Sequence, residues 1–257
     1  MFPSGARAES RTVVSPPSVS RPLVFGILET EQPPLVEMRD GVVTGGLVKA
    51  IGDEIAQRTG FKPIYRLMPR NRFEGDLANG LIDLACGYSP DWLPKIDPSR
   101  FSVSLLTSRS VLVVRGEDAD RLRTLSDLAG RRVGAILGFH YPAEVESAFI
   151  DGTWQREDAP TADSNFRKLR NRRVDAILTT DLEAEYRQGA GQSDGANAPR
   201  DGALAVLPQP VGEHQERCAN GPASPLSMDA LNAAVDAMRA DGTLTRLRRE
   251  AAHRAGS

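Results

Sequence analysis

Hydrophobic positions along the chain fall into short continuous runs separated by amphipathic stretches. The first run, Leu23 to Leu28, is typical of a strand buried on both faces of a parallel sheet. After a break, the apolar positions Leu47, Ile51 and Ile55 share one face of a predicted helix, and Gly60 ends that helix. The alternation continues with a strand at 63–67, a helix at 71–78 and a strand at 81–86. This β-α-β-α-β order predicts a parallel sheet with right-handed crossovers.

The stretch 122–136 combines a short helix, a glycine stop and a new apolar strand. Thr124 or Ser126 can cap the short helix, and Gly130 ends it. The pattern of the first half then repeats, with strands at 133–137, 154–157 and 174–178 and helices at 142–150, 163–171 and 182–188. The chain therefore predicts a second α/β lobe built on the same plan as the first.

The segments that connect and close the two lobes can also be predicted. The apolar strand 111–115 leads into the second lobe, residues 189–201 lack periodicity and predict a mobile loop, and residues 203–207 are expected to lead back. A helix should begin after Ser227, and a second one after the break at 240–243.

This order of elements resembles the family 3 solute-binding proteins of ABC importers. The likeness runs from about residue 21 to about residue 250, and it rests on the step at 122–136, on Phe101-Ser102 and on Asp241-Gly242-Thr243 before a basic helix. It implies an α/β fold of two Rossmann-like lobes joined by a two-crossing hinge, the type II periplasmic binding protein fold. The crossings are expected near 106–112 and 200–208.

The expected domain division follows from this resemblance. Residues 1–20 would be a flexible tail, residues 21–108 plus 205–257 the first lobe, and residues 109–204 the second lobe.

The composition and the motifs of the sequence argue against several classes of function. The 32 lysines and arginines balance 34 aspartates and glutamates, so no nucleic-acid partner is indicated. The three histidines lie far apart, and neither a metal-site spacing nor a catalytic or dinucleotide motif is present in the sequence. We therefore expect a binding protein without metal or cofactor rather than an enzyme.

The N-terminal residues bear on location. No apolar run approaches the roughly 20 residues of a membrane span, and no apolar core of a signal peptide is visible. Residues 1–20 are rich in Ser, Pro and Arg and contain Ala6-Arg7-Ala8, a small-x-small pattern of the kind that precedes signal cleavage. Two interpretations stay open, a trimmed remnant of an exported precursor and a chance match in an alanine-rich tail. The family resemblance favours export, and it implies a periplasmic monomer that meets the membrane subunits of an ABC transporter.

Cys86 and Cys218 are too few for a disulfide scaffold. Both fall in segments expected in the first lobe. They can form one bridge in an oxidising compartment, or remain two buried thiols.

Ligands of open parallel sheets bind beyond the carboxyl ends of the strands, which in a two-lobed protein face each other across a cleft. The candidate ligand-binding residues at these ends are Glu29, Arg70, Arg72, Tyr88, Trp92, Lys95, Phe139, His140, Tyr141, Thr180 and Asp181.

The turn 138–142 is the first candidate for holding an anion, because Pro142 suits a first helical turn and free backbone N–H groups there attract negative charge. In the family the matching turn carries small hydroxyl residues that grip a ligand carboxylate. Here Phe139 and His140 stand in their place, which predicts a bulkier pocket. Alternatively, Phe139 packs inward and His140 is an exposed loop residue.

Two further positions depart from the family pattern. Counting back from Phe101-Ser102, the family arginine that binds the ligand carboxylate falls on Lys95, and the acidic residue that binds the ammonium falls on Thr180, next to Asp181. Arg70 and Arg72 can compensate with positive charge, or simply solvate a helix start. The expected ligand is therefore a small anionic or amino-acid-like compound, with Tyr88 and Trp92 as an apolar wall.

The expected function is capture of this ligand and delivery to an ABC importer. One alternative is a lyase on the same fold that resembles cyclohexadienyl dehydratase, with Glu29 or Glu31 as general acid. The other is a periplasmic sensory or accessory protein for a membrane or dehydrogenase partner.

Overall fold

The computed structural model describes residues 21–193 and 203–253. The predicted tail, 1–20, and residues 194–201 of the predicted loop lie outside the described residues. The strands are β1 (Leu23–Leu28), β2 (Glu37–Arg39), β3 (Val42–Gly45), β4 (Pro63–Met68), β5 (Leu84–Tyr88), β6 (Leu106–Arg115), β7 (Arg132–Ile136), β8 (Gln155–Ala159), β9 (Ala176–Thr180), β10 (Leu204–Val206) and β11 (Gly212–Asn220). The helices are α1 (Leu47–Thr59), α2 (Arg70–Ala78), α3 (Ala143–Ile150), α4 (Ala162–Arg170), α5 (Asp181–Ser193), α6 (Met228–Ala240) and α7 (Thr243–His253).

The first lobe is built around β1, which pairs in parallel with β4 on one side and β5 on the other. Leu23 and Phe25 on this strand are buried against Ile51 and Ile55 of α1. The helix ends at Gly60, whose φ of 74° is the left-handed conformation that glycine adopts without strain. The predicted apolar strand and the predicted helix face therefore form the centre of this lobe.

The second lobe repeats this arrangement around β7, which pairs in parallel with β8 and β9. Val133 of β7 is buried together with Leu128 of the preceding short helix, Val145 of α3 and Trp154. Gly130, at φ 70°, closes that short helix as predicted. Helix α5 extends to Ser193, so residues 189–193 are helical rather than loop.

Two long antiparallel strands, β6 and β11, join the lobes. Residues 212–216 of β11 pair with 106–110 of β6, residues 217–220 of β11 pair with β5, and residues 110–114 of β6 pair with β9. Strand pairing therefore runs in the order β4-β1-β5-β11-β6-β9-β7-β8, one curled sheet that continues through both lobes. The type II fold is present, and its two crossings are these paired strands.

The second crossing differs from the prediction of a return near 200–208. Residues 204–206 form β10, which pairs with 113–115 of β6 and so lies on the second-lobe end of that strand. The chain turns at the prolines that follow, and β11 makes the return. The pattern of β11, Gly-Glu-His-Gln-Glu-Arg-Cys-Ala-Asn, is largely polar, so no continuous apolar run marks it as a strand. The proposed domain boundaries at 109 and 204 remain a prediction.

The C-terminal helices α6 and α7 cover the first lobe, as predicted. Leu231 and Val235 of α6 and Leu247 of α7 share a buried cluster with Phe25 and Ile55. Ser227 caps α6 by accepting a hydrogen bond from the Ala230 N–H at 3.2 Å. None of the helices in the described ranges is long and apolar enough to cross a membrane.

Cys86 of β5 and Cys218 of β11 lie opposite each other in the antiparallel pairing, with Cα atoms 3.9 Å apart, and their sulfurs form a disulfide. Of the two interpretations left open by the sequence, the structure has the bridge. It ties the second crossing strand to the first lobe.

Candidate ligand-binding cleft

A cleft of about 1180 Å³, counted with its open mouth, lies between the lobes. It is lined by residues that follow β1, β4, β5, β7 and β9, and its floor includes β6 and β11. The carboxyl ends of the parallel strands thus converge on this space, as expected for the fold. Its walls combine apolar side chains with a small number of charged ones.

Glu31, in the segment after β1, is an acidic group on the first-lobe wall. The Tyr88 hydroxyl donates a hydrogen bond of 2.7 Å to Glu31 Oε1. Burial raises the pKa of Glu31 to about 7, the negative charge of Glu183 adds to this rise, and Tyr88 and Arg70 offset only part of it. Glu31 therefore exchanges its proton near neutral pH.

Glu216, on β11, is a second acidic group on the cleft floor. Burial raises its pKa to about 7, a hydrogen bond with Ser108 and the charge of Arg248 oppose the rise, and the negative charges of Asp181 and Glu31 add to it. The charge of Glu31 therefore raises the proton affinity of Glu216.

The start of α5 brings two more carboxylates into the cleft. Glu183 accepts a hydrogen bond of 2.5 Å from the Thr179 hydroxyl. Asp181 forms an ion pair of 3.1 Å with Arg248 of α7, and the same guanidinium binds Glu185 at 3.0 Å. Because α5 belongs to the second lobe and α7 covers the first, Arg248 links the lobes beside the cleft.

Arg70, at the start of α2, is the other cation that lines the cleft. It forms no ion pair or hydrogen bond with the rest of the described chain through its side chain. Its charge lowers the pKa of both Glu31 and Tyr88, which places the guanidinium on their side of the cleft. Arg70 is therefore available to a ligand anion.

The mouth of the cleft is bounded by aromatic rings from both lobes. The Trp92 ring lies 5.3 Å from the Phe139 ring and 4.8 Å from the His214 ring, measured between centroids. The Gln32 side chain also accepts a hydrogen bond of 3.2 Å from the Asp163 N–H. The lobes thus contact each other around the opening, an arrangement that screens the interior from water.

Six of the eleven predicted ligand-binding residues line the cleft: Arg70, Tyr88, Trp92, Phe139, Thr180 and Asp181. The other five are absent from its lining: Glu29, Arg72, Lys95, His140 and Tyr141.

Lys95, at the position of the family arginine, points away from the cleft. Its side chain is 70% exposed and lies 3.9 Å from Glu74 of α2. Glu29, Arg72 and His140 are exposed as well. The family's carboxylate-binding arginine therefore has no counterpart in the cleft at that position, and of the candidate cations Arg70, Arg72 and Lys95 only Arg70 lines the cleft.

Two backbone N–H groups of the turn before α3 are engaged within the protein, and the predicted anion site at this turn stays a prediction. The Phe139 N–H bonds to the Ile136 carbonyl at 3.1 Å, and the Tyr141 N–H bonds to Glu146 at 2.9 Å. The Tyr141 hydroxyl accepts from the Ile136 N–H at 2.8 Å, and its ring packs in the second lobe. Only the Phe139 side chain of this turn reaches the cleft.

The lining also includes Thr30, Glu31 and Gln32, which directly follow the first predicted strand and so agree with the strand-end rule. The sequence did not point to five further polar residues of the lining: Ser108, Thr161, Glu183, Glu216 and Arg248. Glu216 lies within the second crossing strand, and Arg248 lies in the final helix, so neither follows a predicted parallel strand. Recognising β11 by its alternation of inward and outward positions would have brought Glu216 forward.

The lining supports ligand binding by charge and stacking. No group of histidine, cysteine, aspartate or glutamate in the part of the chain that the structure describes is arranged to hold a metal ion. With carboxylates and a guanidinium on walls that close together, the geometry suits a small molecule carrying both charges.

The comparisons with known proteins agree with this geometry. The model of the bacterial extracellular solute-binding proteins, family 3, matches residues 23–251. No curated protein sequence matches the chain. Among solved structures, the chain is similar to an ancestral arginine-binding protein bound to arginine, with 21% identity, a TM-score of 0.70 and coverage of 91% of this chain and 99% of that one.

Two other solved structures are similar at the same level. One is an amino acid ABC transporter substrate-binding protein from Streptococcus pneumoniae bound to L-arginine, with 20% identity, a TM-score of 0.69 and coverage of 90% of this chain and 94% of that one. The other is an ancestral amino-acid-binding protein described as a precursor of cyclohexadienyl dehydratase, with 19% identity, a TM-score of 0.69 and coverage of 89% and 94%. At these identities the likeness concerns the fold. Since the family model spans nearly the whole chain, this protein belongs to the bacterial extracellular solute-binding proteins, family 3.

Proposed function

We propose that this protein captures an amino-acid-type ligand in its interlobe cleft and delivers it to the membrane subunits of an ABC importer. The observation that carries the proposal is the presence of both signs of charge on the cleft lining, with Arg70 and Glu31 on the first-lobe wall and Glu216 on the floor. An amino acid at neutral pH carries a carboxylate and an ammonium group. A guanidinium and a carboxylate on the protein match these two groups.

Binding would favour the closed arrangement of the lobes. Arg70, Tyr88 and Trp92 belong to the first lobe, whereas Phe139 and Glu183 belong to the second. A ligand that touches both sets has more contacts in the closed state, and it shifts the lobes towards closure by that difference in affinity. Closure is the state that an importer of this class would recognise.

Location and partners follow from the same reasoning. Members of this family are extracellular proteins, and a structurally similar relative is the substrate-binding protein of an amino acid ABC transporter. We propose that this chain works in the periplasm as a monomer and meets such a transporter. The disulfide between Cys86 and Cys218 is consistent with an oxidising compartment.

A screen of the purified protein tests the proposed function. Thermal unfolding would be followed in the presence of each of the common amino acids, and the bound compound would be recovered and identified by mass spectrometry. We expect at least one amino acid to raise the melting temperature and to return unchanged. X-ray scattering should show a more compact particle with that ligand than without it.

Arg70→Gln and Arg72→Gln form a matched pair for this test. Both residues lie at the start of α2, but only Arg70 lines the cleft. Losing a charged hydrogen bond of about 1.5–3 kcal/mol should weaken binding by about 10- to 100-fold in Arg70→Gln. Arg72→Gln should bind like the unchanged protein. Equal affinities in the two variants would contradict the proposed role of Arg70.

A lyase on the same fold is the second candidate, and one observation favours it. Glu31 has a pKa of about 7 and sits in the cleft with Tyr88, so it can hold a proton for donation to a leaving hydroxyl. A structurally similar protein is described as a precursor of cyclohexadienyl dehydratase. Incubation with a cyclohexadienyl carboxylate, followed by ultraviolet absorbance, would reveal an aromatic product if the protein were a dehydratase. A pure binding protein would leave the spectrum unchanged.

A further inference from the structure

The charges in the cleft do not balance. Arg248 is engaged with Asp181 at 3.1 Å and with Glu185 at 3.0 Å, so it has little capacity for another anion. Three carboxyl groups, those of Glu31, Glu183 and Glu216, then share the cleft with the single guanidinium of Arg70. The cleft therefore has more negative than positive groups left to meet a ligand.

A buried hydroxyl in the same place also lacks a partner. The Thr30 hydroxyl lines the cleft, and it has no hydrogen-bond partner among the described residues. Ser108 on β6 is 7% exposed and also lines the cleft, but its hydroxyl faces Glu216, where hydrogen bonding to the carboxyl offsets part of the rise in the pKa of that group. Because buried polar atoms are almost always bonded in folded proteins, the Thr30 hydroxyl indicates a polar group that is supplied by the ligand.

We propose, on the basis of the function proposed above, that the ligand is an amino acid with a net positive charge. Its second cationic group, an ammonium or a guanidinium, lies among Glu31, Glu183 and Glu216, within reach of the Ser108 hydroxyl. Its carboxylate lies on Arg70.

The physical reason is the cost of unpaired charge in a closed cleft. A neutral side chain would leave the surplus carboxyls unpaired or force them to take up protons when the lobes exclude water. An acidic side chain would add repulsion to this cost. An ammonium or guanidinium group removes both penalties, because it donates charged hydrogen bonds to the carboxylates and relieves their mutual repulsion.

The aromatic walls suit such a group as well. The Tyr88 and Trp92 rings line the cleft, and Tyr88 holds Glu31 in place through its hydroxyl. A cation that lies between a carboxylate and an aromatic face gains from both, since ring faces attract positive charge. Glu31, Glu183 and Glu216 bind the ligand's second cationic group. Lys95 lies outside the cleft and takes no part in binding.

Isothermal titration at pH 8 with four probes tests this inference. L-arginine and L-lysine carry an extra positive charge, L-glutamine is an uncharged comparison, and L-glutamate carries an extra negative charge. We expect arginine or lysine to bind at least tenfold more tightly than glutamine, and glutamate to bind more weakly than glutamine.

Two variants on β11 test where the cationic group of the ligand binds. Glu216 lines the cleft, whereas Glu213 is exposed at the other end of β11 and pairs with Arg109. Glu216→Gln should weaken binding of the cationic amino acid tenfold or more, a larger loss than it causes for glutamine, which lacks the second cationic group. Glu213→Gln should change neither value, and circular dichroism would verify that both variants are folded.

The outcomes separate this inference from the function on which it rests. If glutamine or glutamate binds at least as tightly as arginine and lysine, the positive ligand is overturned while the proposed amino-acid function stands. If none of the four probes binds, the positive ligand is overturned, and the proposed function is overturned with it only when none of the common amino acids raises the melting temperature. Equal losses of arginine and glutamine affinity in Glu216→Gln would overturn the location of the cationic group.

Discussion

The acidic cleft should make the ligand-free protein less stable as pH rises through neutrality. Glu216 has a pKa of about 7 in the folded protein and an ordinary value of 4.5, with burial as the main cause and the charges of Asp181 and Glu31 adding to it. The Arg248 guanidinium is the cation that faces it and opposes the rise. The folded state therefore binds a proton more tightly than the unfolded state does.

The sign and size follow from this difference. Below pH 4.5 the carboxyl is protonated in both states and its contribution to stability is complete, and this contribution is lost as pH rises through about 7. A change in pKa from 4.5 to about 7 corresponds to about 3 kcal/mol. Glu216→Gln removes the charge, so at pH 8 the variant should be more stable than the unchanged protein by up to about 3 kcal/mol. For a chain of this size that is a rise of roughly 6–12 °C in melting temperature.

Thermal unfolding of the ligand-free protein between pH 4 and pH 8.5 measures this effect. The unchanged protein should lose melting temperature between pH 5 and pH 8, and Glu216→Gln should lose clearly less over the same range. The exposed carboxyl of Glu213 provides the control, and Glu213→Gln should follow the unchanged protein. Parallel pH profiles for Glu216→Gln and the unchanged protein would refute the reasoning.

Two predictions concern the scaffold. Asp83 is 1% exposed, and its carboxylate accepts hydrogen bonds from the Arg21 guanidinium at 2.7 and 2.8 Å and from the Val24 N–H at 2.9 Å. Asp83→Asn should therefore lower the free energy of unfolding, measured in urea, by about 2 kcal/mol. An unchanged midpoint would contradict this role, and Asp120→Asn, at an exposed aspartate, is the control. The disulfide closes a separation of 132 residues, so replacing both of its cysteines by alanine should cost up to about 5 kcal/mol by the loop-closure relation. A urea midpoint equal to that of the unchanged protein would show that the bridge does not stabilise the fold.

The fold could be predicted from the sequence where local signals were strong. The strand Leu23–Leu28 and the helix that ends at Gly60 follow from an apolar run and a left-handed glycine, and both were predicted within one or two residues. The third strand is shifted, since Leu81 is 58% exposed and Asp83 engages Arg21, so the strand begins only at Leu84. The hairpin of β2 and β3 lies in the break between the first predicted strand and helix and was not predicted, because its strands of three and four residues are mostly exposed and lack a clear period.

The cleft was predicted less completely because its chemistry depends on contacts between distant parts of the chain. Arg70, Tyr88 and Trp92 follow parallel strands, so the strand-end rule found them. Glu216 lies within an antiparallel crossing strand that the sequence did not mark. Arg248 meets Asp181 only because α7 packs beside α5, a contact that no local pattern encodes. An anionic ligand was expected because the arginines at the strand ends could be recognised in the sequence, whereas the carboxylate of Glu216 could not.

The cost of the cleft to stability and its proposed specificity have the same physical origin. Glu31 and Glu216 are placed where desolvation and repulsion from neighbouring carboxylates raise the pKa of each to about 7, which weakens the ligand-free protein above that pH. A cationic group that enters the cleft would remove this repulsion and add charged hydrogen bonds, so part of the destabilisation reappears as binding free energy. The double variant Glu31→Gln with Glu216→Gln should then be more stable than the unchanged protein, but it should discriminate poorly between cationic and neutral amino acids. This trade-off between stability and function is expected when buried charged groups serve binding rather than folding.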